Sequence, residues 1–181
     1  MQESAAETLT ATIAMSALED ALAANRAAAK QFLATARTVA KEKWAAPIAP
    51  GKWSPAQLTE HVALSTEVAL KAIKGDTSMG SIPSFLRWIP RKLGFDPTIK
   101  KGRFPEKQRG PAIFKPSDVH ADYEISAARF HHAIDALESH ARDLAKAGTT
   151  AFEHSFFGRV AIADYVKFNA LHSEHHERQL H

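Results

Sequence analysis

No cysteine occurs among the 181 residues. That excludes disulfides, a thiolate nucleophile and any cysteine-ligated zinc site. The same absence suits a reducing compartment, and a cytoplasmic location is the expectation. The opening stretch, MQESAAETLTATIAMSALED, lacks a basic leader and a continuous apolar run, so no secretory signal is expected. No apolar run approaches the roughly 20 residues of a membrane span, and neither a membrane nor a nucleic acid is expected as a partner. Strand-period alternation of useful length is missing too, as are βαβ succession, internal repeats and low-complexity tracts. The only strand signal is a weak one at 98–115, where a short hairpin fits.

What is present suits one domain with a sizeable core. The net charge is +3, but it is unevenly spread. Residues 80–116 carry nine Lys/Arg against Asp96 and Glu106, a local net of +7, and the remainder is net −4. Positive charge is therefore concentrated in one segment, which is also rich in proline, with Pro83, Pro90, Pro97, Pro105, Pro111 and Pro116.

Helical periodicity accounts for most of the rest. Residues 1–15 are polar and alanine-rich without a firm period, and a flexible or partly helical start is expected there. The single domain is expected over 16–181. Leu18, Leu22, Asn25, Ala29, Phe32, Leu33 and Ala36 form one stripe. Ser16 and Glu19 read as its capping box, and Lys43 as its end. Ser54 followed by Pro55 opens a second helix carrying Leu58, His61, Ser65, Val68 and Ala72 on one face, with Gly75 closing it. Trp53 sits just before the cap, placed to pack on the first turn. Ser117 and Asp118 open a third helix whose stripe runs Val119, Tyr123, Ala127, Phe130, Ile134, Leu137, Ala141 and Leu144, up to Gly148. Phe157–Leu180 reads as the fourth. The expected architecture is an all-α four-helix bundle with an irregular insert, 76–116, between its second and third helices. Phe85, Leu86, Trp88, Ile89 and Leu93 in the insert are too apolar to leave together in water, so the insert reads either as a crossover laid on the bundle or as a lid or docking surface.

The last helix aligns Ile162, Tyr165, Asn169, His172, His176 and Leu180 on one face. Its middle is polar, and buried polar groups require partners. His172 and His176, one turn apart, can hold one metal ion. His61 points inward from the second helix and can supply a third imidazole. A satisfied core histidine is the plain alternative for each. His175, turned about 100° from His176, leaves three roles open: a surface residue, a residue that orients a ligand, or the ligand in place of His172. His131 and His132 read as boundary or surface residues, and His181 as a disordered terminus.

KWSPAQLTEHV on the second helix and FGRVAIADYVKFNALHSEHHERQL at the end resemble the DinB-like (DinB/YfiT) superfamily. The shared positions are Trp53, Ser54, Leu58 and His61, then His172, His175, His176, Gln179 and Leu180. The resemblance spans roughly residues 16–181. It implies an up-down-down-up bundle with a metal site formed by His61, His172 and His176. It also implies chemistry on low-molecular-weight thiols, as in bacillithiol S-transferases and the mycothiol-dependent maleylpyruvate isomerase.

Three functions follow as expectations. The first is a metal-dependent S-transferase with zinc or nickel, a borrowed thiol and a small-molecule substrate. There Tyr165 and Asn169 are candidate cavity residues, and the basic insert is a candidate carboxylate holder. The second is a metal-dependent hydrolase using bound water, which wants a carboxylate base. Glu60, Glu174 and Glu177 all point off the histidine face. The third is a non-catalytic metal-binding or stress-related dimerisation module. Spare apolar residues on the first and third helices suit a homodimer.

Overall fold

In the computed structural model, which describes residues 2–78, 80–105, 114–117 and 121–181 and the side chains of these except 2–8, 10 and 11, four long helices form a bundle. They are α1 (Gln2–Arg37), α2 (Pro55–Ile73), α3 (Tyr123–Lys146) and α4 (Ile162–Glu177). The all-α reading and the insert between the second and third helices stand as expected.

α2 starts where Ser54 and Pro55 dictate. The Gln57 amide donates to the Ser54 hydroxyl at 3.2 Å, and the Ser54 amide donates to the Gln57 side chain at 3.0 Å. That reciprocal pair satisfies donors which a helix N-terminus otherwise leaves open. Gly75 follows the helix at φ 78°, a conformation only glycine adopts without strain.

α1 differs from expectation at both ends. It begins at Gln2, so Ser16 and Glu19 lie inside the helix and form no capping box. The alanine-rich stretch before Ser16 contains no glycine or proline, and its propensity carries the helix through. Glu19 turns outward to Arg142 at 3.1 Å instead. The helix stops at Arg37, where the Thr38 hydroxyl bonds the Thr35 carbonyl at 2.7 Å, and Lys41–Lys43 form a separate tight turn.

The ends of α3 and α4 also shift. α3 begins at Tyr123, and Val119 lies outside the described residues. Ser117 is no cap: its amide and hydroxyl bond Glu60 of α2 at 3.1 and 2.9 Å. α4 begins at Ile162 rather than Phe157, because the preceding residues form an antiparallel hairpin, β1 (Ala151–His154) and β2 (Gly158–Ala161). Among the described residues the hairpin lies here. In the 98–115 segment Asp96–Lys101 is helical, and 106–113 lie outside the described residues.

Cross-helix pairs define the topology. Thr35 reaches Glu177, and Asn25 meets Asn169, so α1 and α4 run parallel. Glu19–Arg142 and Arg26–Glu138 make α1 and α3 antiparallel. Leu58 and Val62 share an apolar cluster with Ala127 and Phe130, while Ala69 and Ile73 share the other with Leu137 and Ala141, so α2 and α3 run parallel. The result is up-down-down-up, and the insert is the long crossover that two parallel neighbours require.

The core has two apolar halves. Leu22, Ile73, Leu137, Val160 and Val166 fill the hairpin end. Phe32, Leu58, Val62, Phe130 and Ile134 fill the other, with Phe32 and Phe130 meeting edge to face at 5.9 Å. A buried polar belt of Asn25, Thr66 and Asn169 lies between them. The insert covers one side. Trp88–Pro90, a wide π-type turn Arg91–Phe95, and Asp96–Lys101 follow one another without a break, and Phe95 is driven into the core beside Phe157 and Phe168, 5.1 Å from each.

Candidate metal centre

The cap at Ser54 sets the rotation of α2, and that rotation turns His61 inward. The buried stripe of α4 does the same for His176, with His172 one turn before it. The structure brings all three together. His61 Nε2 lies 3.2 Å from His172 Nε2, and His176 Nε2 lies 3.1 Å from the same atom. One ligand atom from each residue falls within 4.8 Å of the others. His61 and His176 are buried, and His172 is half-buried.

The far side of the rings decides which atoms face inward. His61 Nδ1 donates to the Phe114 carbonyl at 2.6 Å, and His176 Nδ1 donates to Gln179 Oε1 at 3.0 Å. A neutral imidazole has one N–H. With it spent outward, Nε2 of His61 and of His176 each present a lone pair towards His172 Nε2. That nitrogen can offer at most one proton, so at least one of the two short contacts sets lone pair against lone pair. Protonation is a poor remedy. Burial, reinforced by the neighbouring imidazoles, holds His172 well below the ordinary histidine range and His176 down to about 3. Burial lowers His61 too, against the opposing pull of the Phe114 carbonyl.

A metal cation fits this donor set. Two nitrogens about 2.1 Å from one zinc-like ion at the tetrahedral angle stand about 3.4 Å apart, close to the spacing seen. The backing of each Nδ1 by an oxygen acceptor is also the usual support of a metal-binding histidine. The three histidines thus form a buried cluster able to coordinate a metal ion, and three protein ligands leave a position open.

His175 stands outside the trio. Its Nε2 accepts from the Gln179 side-chain amide at 3.0 Å, so it braces the glutamine that orients His176. Trp53 lies against the centre, its ring 4.7 Å from His61 and 6.4 Å from His176. The insert forms the remaining wall. Phe104 packs 5.2 Å from the His172 ring, beside an open cleft of 360 Å³ lined by Pro97, Thr98, Lys101, Arg103, Phe104 and Pro105. The insert is therefore a crossover laid on the bundle that also borders the histidines. Phe95 anchors it in the core, while Phe104 and Phe114 border the histidines.

Tyr165 and Asn169 share the inner face of α4 with the histidines, but their polar atoms go elsewhere. Asn169 Nδ2 donates to Asn25 Oδ1 at 2.9 Å and to Thr66 Oγ1 at 3.2 Å. The Tyr165 hydroxyl lies 3.1 Å from His154 Nε2. Glu60 is held by Ser117, Glu177 accepts from Thr35 at 2.7 Å, and Glu174 is exposed. Among the described residues no carboxylate joins the trio. His131 and His132 are exposed, and His181 approaches Glu177 at 3.4 Å.

Sequence reasoning passed over His154. It is buried in the hairpin, where its Nδ1 accepts from the amides of Phe156 and Phe157 at 3.0 and 3.3 Å, leaving Nε2–H to donate to Tyr165. Burial first, then the charge of Arg87, lowers it to about 4. The signal was the alternation of Phe152 and His154 before Gly158, a short strand in what read as a connection.

A four-helix bundle in which the second and fourth helices close three imidazoles into one pocket defines a metal-site class of fold. The family model of the DinB superfamily matches residues 9–180, and the chain belongs to that superfamily. No curated protein and no solved structure matches it.

Proposed function

We propose that the protein is a metal-dependent enzyme in which His61, His172 and His176 hold a divalent transition ion, zinc or nickel, for the transfer of a low-molecular-weight thiol to a small electrophile. The observation that carries this reading is the convergence of three Nε2 atoms whose outward nitrogens, at His61 and His176, are already engaged. When bound, such an ion lowers the pKa of a coordinated thiol or water and so supplies a nucleophile near neutral pH. The absence of cysteine means that the sulfur comes from outside the chain. The protein's own groups then hold and exclude: Gln179 and the Phe114 carbonyl orient the imidazoles, Trp53 and Phe104 keep bulk water from the rings, and Lys101 and Arg103 offer positive charge beside the cleft. Tyr165 and Asn169 fix α4 and do not touch substrate in this reading.

A hydrolase acting through bound water ranks second, because Glu60 and Glu177 are committed to other partners. No helix among the described residues is long and apolar enough to cross a membrane. A cytoplasmic homodimer is part of the proposal. It is supported by the missing cysteines and by exposed Leu9, Ile13 and Ile125 on α1 and α3.

The test is elemental analysis of the purified chain beside His61→Ala and His176→Ala, followed by turnover of a reactive halide with a panel of thiols. We expect one ion per chain, lost in both variants, and thiol-dependent turnover. Equal metal in all three proteins ends the site reading. Metal with ester hydrolysis but no thiol-dependent turnover replaces transferase by hydrolase, and metal with neither activity leaves a non-catalytic metal-binding module.

A further inference from the structure

Four large apolar side chains stand outward in the insert. Phe85 is 73%, Trp88 62%, Leu93 73% and Leu86 37% exposed. The backbone explains why they gather. Ser84–Leu86 is a 3-10 turn, in which residues three apart eclipse, so Phe85 and Trp88 lie one above the other. The turn Arg91–Phe95 is of the wide π type, which brings Leu93, five residues after Trp88, back towards the same side. The opposite side is already used, since Phe95 and Thr98 are buried. The segment therefore cannot roll over to hide its outer face without pulling Phe95 from the core.

Exposed basic residues follow in the same segment, two of them on the rim of the cleft beside Phe104. Lys92, Lys100, Lys101 and Arg103 are exposed. Asp96, the sole acid among the described residues of 80–116, is taken by Arg91 and Lys92, each at 3.2 Å. Lys100, Lys101 and Arg103 have no acidic partner among the described residues. Aromatic and leucine side chains edged by unpaired lysines are the composition that binds the boundary of an anionic bilayer, where apolar groups enter the acyl edge and ammonium groups meet headgroup phosphates.

We propose that the exposed side chains of this segment, Phe85, Trp88 and Leu93 with Lys92, Lys100, Lys101 and Arg103, dock the protein on an anionic lipid surface. The absence of a spanning helix among the described residues is no obstacle to lying on a bilayer. A second copy of the chain is a poorer occupant. A second copy brings only the same exposed basic residues to this surface, with Asp96 already engaged. The four side chains also expose on the order of 500 Å², large for one patch on a monomer but short of the about 800 Å² per partner of a stable dimer.

The experiment is co-sedimentation of the full chain with vesicles of phosphatidylcholine alone and of phosphatidylcholine mixed with phosphatidylglycerol, at low and high salt. The unaltered chain is expected to bind the mixed vesicles, to release with salt, and to leave the neutral vesicles alone. The pair Lys100→Glu with Lys101→Glu is expected to weaken binding roughly 30-fold or more, from the contribution of each basic residue near such a surface. Trp88→Glu with Leu93→Glu is expected to abolish it. All four positions are exposed, so unchanged melting temperatures show that the variants fold. Binding that ignores lipid charge, no binding to either vesicle, or variants that bind like the unaltered chain overturns the proposal. So does a dimer in sedimentation velocity that Trp88→Glu with Leu93→Glu dissolves, since the occupant is then a second copy.

Discussion

Two buried polar clusters sit on the same face of α4, and they are built on opposite terms. In the belt around Asn169, donors meet acceptors. Its side-chain amide donates to Asn25 and Thr66, and the Thr66 hydroxyl donates to the Val62 carbonyl at 2.9 Å, with only the Asn25 amide nitrogen left over. In the trio one turn further on, acceptors meet acceptors, because the outward nitrogens of His61 and His176 have spent their protons. Apart from that one nitrogen the belt is satisfied from within the chain, and it serves as structure. The trio is completed only by something positive. Burial and polarity are alike in the two clusters, so neither identifies a site. The pairing of donors with acceptors does.

Crossed substitutions test this difference most severely. His61→Ala removes one of three ligands and is expected to weaken metal binding by more than about 100-fold, while the metal-free chain keeps its melting temperature. Equilibrium dialysis against a chelator series reads the affinity. Retained affinity would place the ion elsewhere and erase the distinction between the clusters.

His154 sharpens the comparison from a third position, since it is a buried histidine with complementary partners. Its pKa of about 4 lies below the roughly 6.5 of an unfolded chain. Above pH 6.5 the ring is neutral in both states, and the shift leaves stability untouched. As pH falls through 6.5 the unfolded chain takes up the proton first, and the fold loses up to roughly 3 kcal/mol by the time pH reaches the folded value. Protonation must occur at Nδ1, where it breaks both backbone hydrogen bonds of the hairpin. Urea midpoints followed from neutral to acid pH are therefore expected to fall less steeply in His154→Gln than in the unaltered chain. Parallel slopes would remove His154 from the account.

Asn169→Leu is the converse of His61→Ala. Leaving Asn25 and Thr66 without their partner is expected to cost about 1–3 kcal/mol, read as a lower thermal midpoint with metal content unchanged. Loss of metal at constant stability would reverse the roles given to the two clusters. The smallest effect belongs to Gln179→Ala, which frees His176 Nδ1. Metal affinity should fall by about tenfold with stoichiometry intact, as for other residues that orient a ligand.

Much of this was legible in the chain. The stripes of α1, α2 and α3 were read position by position. The histidine face of α4 and the inward turn of His61 followed from residues three and four apart. Errors gathered where the governing contact was not local. Ser117 looked like a cap but is claimed by Glu60 of another helix, and Ser16 looked like a start only because the residues before it show no stripe. The hairpin was hidden by the shortness of its strands, which are stable through packing of Val160 and Phe152 on the core and not through pattern.

Helix order and the inward faces were thus set by periodicity, because a side chain's direction on a helix depends only on its neighbours within a turn or so, whereas the choice of His172 over His175 rested on the family resemblance. The register between α2 and α4, the carbonyl of Phe114 behind His61, the diversion of Tyr165 to His154 and the outward face of the insert were decided by folding in three dimensions. Those features depend on how far one element slides and rotates against another. That is a balance of side-chain volumes and hydrogen-bond partners drawn from distant parts of the chain, and no local pattern encodes it.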